Sequence, residues 1–129
     1  MAAPYTRVKL DDVKDSAPDF GLGEDQQSRF ATEAVGSEDI GVSHHRFSPG
    51  VRQAFGHRHD EPEEVYVVLS GSGRIKLGDE ILDIERLDAI RVQAEVIRAF
   101  EAGPDGLEVL AFGPHHRGDG EVIQGWWSD

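Results

Sequence analysis

The sequence predicts an all-β protein, an antiparallel sandwich or barrel, and three observations carry that prediction. Short apolar or alternating runs at 40–47, 64–69, 74–77, 80–85, 89–92, 96–101 and 107–112 follow one another at close spacing. Gly- and Pro-bearing turns punctuate them, and no segment sustains the period of an amphipathic helix. Alternation is clearest in Arg74-Ile75-Lys76-Leu77 and Leu82-Asp83-Ile84-Glu85, where a period of two gives each strand one buried and one wetted face.

Residues 1–27 are expected to form an extended N-terminal arm. Within it 4–18 is polar, with Val8, Leu10 and Val13 unevenly spaced, which suits a segment lying along a neighbouring sheet with one short strand at most. A Gly- and acid-rich loop over 20–27 leads into two strands, 28–34 and 40–47, joined across 35–39. His44 and His45 are neighbours in the second strand, so at most one of them faces an interior. Ser48-Pro49-Gly50 ends that strand. Gly71-Ser72-Gly73 and Gly78-Asp79 are read as turns, the latter as a two-residue hairpin connection. The segment 113–129 reads mostly as loop and ends in Trp126-Trp127, two large aromatics that need burial either on the parent barrel or on a partner subunit.

With 129 residues the chain fits one domain that buries roughly two thirds of its unfolded surface. It has no cysteine, which removes disulfides, thiol nucleophiles and sulfur-ligated metals, so any metal chemistry must use nitrogen and oxygen donors. The 25 acidic residues exceed the 13 basic ones, for a net charge of −12, and the basic residues do not cluster. A surface of that sign repels phosphate backbones, and no nucleic-acid partner is expected. No apolar stretch approaches the ~20 residues needed to span a bilayer and the N-terminus lacks a secretory apolar region, so a cytoplasmic protein without a membrane partner is expected. No serine sits in a nucleophile-elbow context, and catalytic triads find no support.

The chemistry concentrates in residues 50–71. His57 and His59 are two apart, so in extended backbone both imidazoles point to one face. Glu64 follows after a Pro-containing bend over 60–63, at the mouth of the apolar run. Two imidazoles and a returning carboxylate match the pattern of two histidines and one carboxylate that binds a divalent ion and leaves coordination positions open. Glu63 competes for the carboxylate role. In a strand, however, Glu64 shares its face with Tyr66 and Val68, whereas Glu63 lies with Val65 and Val67. His115 and His116 lie in a Gly- and Pro-flanked loop and are expected to be solvated.

This stretch resembles the first motif of the cupin superfamily, G(X)5HXH(X)3-4E(X)6G. His57-Arg58-His59, four residues, Glu64, six residues and Gly71 reproduce it from the first histidine onward, and the turn after Gly50 is one residue longer. The run over 65–78 is similar to small bacterial single-domain cupins of the conserved-barrel type. The resemblance implies a double-stranded β-helix, that is, a jelly-roll barrel, with a core over 40–112 and a C-terminal tail over 113–129. It further implies that His57, His59 and Glu64 hold a divalent metal ion (Zn, Mn, Fe or Ni) inside the barrel, that a small-molecule ligand binds beside it, and that the assembly is a homodimer.

The second cupin motif, G(X)5PXG(X)2H(X)3N, is where the chain departs. Aligning Leu87-Asp88 with the usual Gly-Asp puts Gln93 at the proline, Glu95 at the second glycine, Arg98 at the histidine that would be the fourth ligand, and Ala102 at the asparagine. Period two over 96–101 turns Arg98 and Phe100 to the face the family turns inward. Two expectations split here. In one, Arg98 recognises the carboxylate or phosphate of a polar or anionic metabolite, with Tyr66 and Phe100 lining the pocket, and the chemistry is metal-centred oxygenation or isomerisation. In the other, Arg98 pairs with Glu64 in a metal-free ligand-binding or structural barrel without catalytic activity. An inward His44 would offer a replacement fourth ligand.

Overall fold

The computed structural model describes residues 4–59, 62–115 and 121–128. Its strands are β1 (Gln26–Phe30), β2 (Ile40–Phe47), β3 (Phe55–Arg58), β4 (Glu64–Leu77), β5 (Glu80–Glu85), β6 (Ala89–Val92), β7 (Arg98–Pro114) and β8 (Glu121–Gln124), with one helical turn, α1 (Thr32–Val35). All pairings are antiparallel. No helix among the described residues is long and apolar enough to cross a membrane.

The architecture follows from two long strands, β4 and β7, that pair along most of their length and bend together. Before the bend, β4 lies between β6 and β7, and β7 continues to β2 and β1. After it, β4 pairs with β5 on its other edge, while the start of β7 meets β3, which pairs with β8. The two halves curl toward each other and share one core. Tyr66, Val68, Val109 and Ala111 from the first half meet Ile75, Ile84, Phe100 and Ala102 from the second. Phe100 joins the halves, with its ring 5.9 Å from Phe47 and 5.0 Å from Tyr66. This is the jelly-roll arrangement expected from the sequence.

Gly71-Ser72-Gly73 is not a turn. The strand continues through it without reversing, and the irregularity is a pair of register shifts against β7, between Val68 and Ser70 and between Gly71 and Gly73. Gly71 has φ +76° and stacks so closely on Gly106 that an added Cβ would collide with the Gly106 carbonyl oxygen. The glycines therefore permit a bend with tight strand contact. Gly78-Asp79, in contrast, is the two-residue connection of the β4–β5 hairpin, with Leu77 opposite Glu80.

Three other expectations are corrected. The strand expected over 28–34 is β1 followed by α1, which is closed by Gly36 at φ +75° donating its N–H to the Glu33 carbonyl; a single helical turn is too short to show a period. The arm carries 3-10 turns at Leu10–Asp12 and Ala17–Phe20. The tail contains β8 on the free edge of β3, and its aromatics fold onto their own barrel. Trp127 is buried, with the Arg52 and Arg74 guanidinium carbons 4.6 and 5.3 Å from its ring, and Lys76 Nζ lies 4.6 Å from the Trp126 ring. His116 and the bend at Asp60 and Glu61 lie outside the described residues.

Leu87, aligned above with the glycine of the second motif, has φ +72° and its side chain is 65% exposed. Its N–H donates to the Val68 carbonyl at 2.8 Å, which holds the turn in this left-handed conformation. A leucine pays a steric cost there that glycine avoids. Leu87→Gly is expected to stabilise the protein by ~1 kcal/mol, a rise of about 4 °C in Tm by circular dichroism; a fall would show that the exposed side chain contributes more than the strain costs.

Candidate metal centre and cavity

β3 and the start of β4 deliver the donor set. β3 is held between β7, where His57 faces Arg98, and β8, where it faces Val122. One step further, His59 is pinned by its N–H to the Ala94 carbonyl at 2.7 Å. Glu64 opens β4 opposite Val92. One atom each from His57, His59 and Glu64 lies within 4.8 Å of the others, and all three residues are half-buried. Glu64 Oε1 is 3.6 Å from His57 Nε2 and 3.4 Å from His59 Nε2. Donor atoms around a cation at ~2.0–2.2 Å are separated by roughly 3.0–3.6 Å, so the spacing suits a nitrogen and oxygen site for a divalent ion.

Glu64 is also in the required charge state. Burial works to raise its carboxyl, but bonds from His57, His59 and Tyr66 outweigh it and hold the group well below the usual carboxylate range. The Tyr66 hydroxyl donates to Glu64 Oε1 and lies 3.3 Å from His57 Nε2. Burial, followed by the charge of Glu64, pushes the Tyr66 phenol well above its ordinary value, which keeps it a proton donor. Glu63 lies apart at the surface, 3.3 Å from Arg91.

Arg98 faces inward, as the strand period requires, and is 0% exposed. It stands behind the donors and is not among the residues lining the cavity. Its Nη1 donates to the carbonyls of Ala94 at 3.3 Å and His57 at 3.4 Å, and Nη2 is 3.9 Å from Glu64 Oε1. Nε and Nη2 are buried without hydrogen-bond partners. Arg98 thus stands closer to a weak partner of Glu64 than to a group offered to a ligand.

The donors open onto a cavity of about 670 Å³ whose wall is mostly apolar and aromatic. Tyr66 and Phe100 line it, together with Phe30, Phe47 and Phe55. His44 points to the opposite face of β2, where its Nε2 meets Glu108 Oε2 at 2.7 Å, so it is not a fourth ligand. His45 is the inward member of the pair and was not singled out by the sequence, which offered only the rule that at most one of the two faces an interior. It lines the cavity with Nδ1 2.9 Å from Ser28 Oγ and Nε2 2.8 Å from Ser43 Oγ. Burial, then the nearby charge of His57, pushes the His45 imidazole down to about 4. His115 is half-buried, its N–H on the Asp39 carbonyl at 3.0 Å.

No protein-family model and no curated protein matches the sequence. Solved structures share its fold. A cupin protein from Bacteroides fragilis matches with TM-score 0.70 at 19% identity, over 91% of this chain and 89% of that one. The polyketide cyclase RemF from Streptomyces resistomycificus matches with TM-score 0.73 at 22% identity, over 100% and 89%. An oxalate decarboxylase variant from B. subtilis matches with TM-score 0.74 at 19% identity, over 96% of this chain and 33% of that one. The chain therefore has the cupin fold.

Proposed function

From a cupin fold with three donors converging at one end of an organic-sized cavity, we propose that this protein binds a divalent metal ion through His57, His59 and Glu64 and acts on a small oxygen-bearing metabolite held beside it. The convergence of those three side chains carries the reading. A bound divalent ion supplies Lewis-acid polarisation of a coordinated oxygen. The chain's own residues contribute the rest. Glu64 provides the anionic donor. The Tyr66 hydroxyl, held between Glu64 and His57, offers a proton next to the open side of the site. Phe47 and Phe100 exclude water from the cavity wall. This chemistry fits an isomerase, cyclase or oxygenase, and the polyketide cyclase among the similar folds belongs to that range. The test is metal content of the chain purified without a histidine tag, with a calorimetric titration of the chelated protein by Zn²⁺, Mn²⁺, Fe²⁺ and Ni²⁺. One ion per chain is expected; no saturable binding of any of them sinks the reading.

The contacts of Glu64 favour a second reading. Tyr66 already satisfies Glu64 Oε1, and the Arg98 guanidinium stands 3.9 Å away as an opposite charge, so the carboxylate has partners without an ion, as in a metal-free binding barrel. In that case chelator and added metal leave Tm unmoved.

A further inference from the structure

The cavity has a second polar feature, on the wall formed by β1 and β2. The inward residues of these strands pair in rows, Gln26 with Phe47, Ser28 with His45 and Phe30 with Ser43. The rows continue through β7 to β4, where Ser43 lines up with Ala111 and then Tyr66. Ser43 thus shares a row with the tyrosine of the donor cluster, across the small side chain of Ala111.

Counting protons along this wall fixes the direction of its hydrogen bonds. The Gln26 amide donates to Ser28 Oγ at 3.1 Å. Ser28 is buried, and among the described residues the one side-chain acceptor for its hydroxyl proton is His45 Nδ1 at 2.9 Å. His45 is neutral at physiological pH, so with Nδ1 accepting, its single ring proton sits on Nε2 and is donated to Ser43 Oγ at 2.8 Å. Ser43 then accepts from His45, and its own hydroxyl proton has no acceptor among the described residues. Ser43 lines the cavity. A buried relay of fixed direction ends in one uncommitted O–H donor among aromatic walls.

We propose that Ser43, oriented by the Gln26–Ser28–His45 chain, is a specificity-determining donor that selects flat, mostly apolar ligands carrying a carbonyl oxygen. Edge and face contacts from Phe30, Phe47 and Phe100 hold the flat body, and the carbonyl accepts the Ser43 proton. The inference rests on the cavity being the ligand site, as proposed above, and not on the metal. A site built around a hydroxyl donor discriminates against an analogue lacking the acceptor, because the donor is then left unpaired.

The test is equilibrium binding of 2-acetylnaphthalene and its isosteric hydrocarbon 2-isopropenylnaphthalene to the full chain, as purified and again in excess EDTA. Ser43→Ala is expected to weaken the ketone about fivefold, the worth of one hydrogen bond, and the hydrocarbon by less than about twofold. Ser43→Thr and Ser43→Val, equal in shape, should differ in the same way, which guards against a misfolded alanine variant. Equal losses for both probes, or no saturable binding of the ketone to the unaltered protein, overturn the proposal. A chain that binds no metal yet shows the Ser43-dependent preference in EDTA refutes the metal reading alone.

Discussion

Glu64→Gln is expected to abolish stabilisation by divalent metal. The unaltered protein at a metal concentration of about 100 times Kd gains ~2.7 kcal/mol by mass action, or about 10 °C in Tm for a domain of this size. Glutamine keeps the shape and can still accept the Tyr66 hydroxyl bond, but it removes the only anionic donor of the set. Outer partners of metal ligands already cost 10–100-fold in affinity when removed, so the loss of a charged ligand should cost on the order of 100-fold or more. Under the same conditions the variant should show no metal-dependent rise, while its Tm in EDTA stays close to that of the unaltered protein. A metal response that survives Glu64→Gln would place the ion elsewhere.

Arg98→Met is expected to tighten metal binding, by tenfold or more on an order-of-magnitude estimate. The guanidinium lies 3.9 Å from the carboxylate that must hold the cation. Two unit charges 4 Å apart interact by about 4 kcal/mol at an effective dielectric of about 20, and a dication doubles the charge, so even a small part of that repulsion exceeds the ~1.4 kcal/mol worth a factor of ten. Arg98 is not needed to keep Glu64 ionised, since the histidines and Tyr66 lead among the groups that lower its carboxyl. The fold should tolerate the change. Nε and Nη2 are buried without partners, and replacing a poorly paired buried charge by an apolar chain of similar length is often neutral or stabilising. Calorimetric titration of the chelated proteins checks this; weaker binding in Arg98→Met would mean that the guanidinium orients Glu64 productively and does not oppose the ion.

The donor set was legible in the sequence because it is local. His57 and His59 need only extended backbone to share a face, and Glu64 is separated from Glu63 by the same period-two rule that puts Tyr66 and Val68 inside. Leu87 was placed by alignment at a glycine, and its positive φ agrees. The role of Gly71-Ser72-Gly73 was not legible, since a glycine that permits a reversal and one that permits close approach within a strand look alike until the neighbouring strand, with Gly106, is in place. β8 is four residues whose strand character comes from the free edge of β3. Trp126-Trp127 left two options, and only the Arg52, Arg74 and Lys76 side chains on the parent barrel chose between them.

Period and spacing by themselves determined that the chain is an all-β sandwich or barrel and that its polar chemistry gathers at residues 57–64, while the jelly roll and the placing of Arg98 at the position of a fourth ligand came from the resemblance to the cupin motifs. The first two are properties of backbone repeats and of a chain segment short enough to need no partner. Tertiary structure decided the direction in which each inward group is used. It turned His45 to the cavity and His44 to Glu108, and it set Arg98 behind the donors with its Nη1 on two backbone carbonyls. It also brought Gln26, Ser28, His45 and Ser43 into one hydrogen-bonded chain. Hydrogen-bond direction and burial depend on which strands lie side by side, and while β1 and β2 are near in sequence, β2 meets β7 across sixty or more residues.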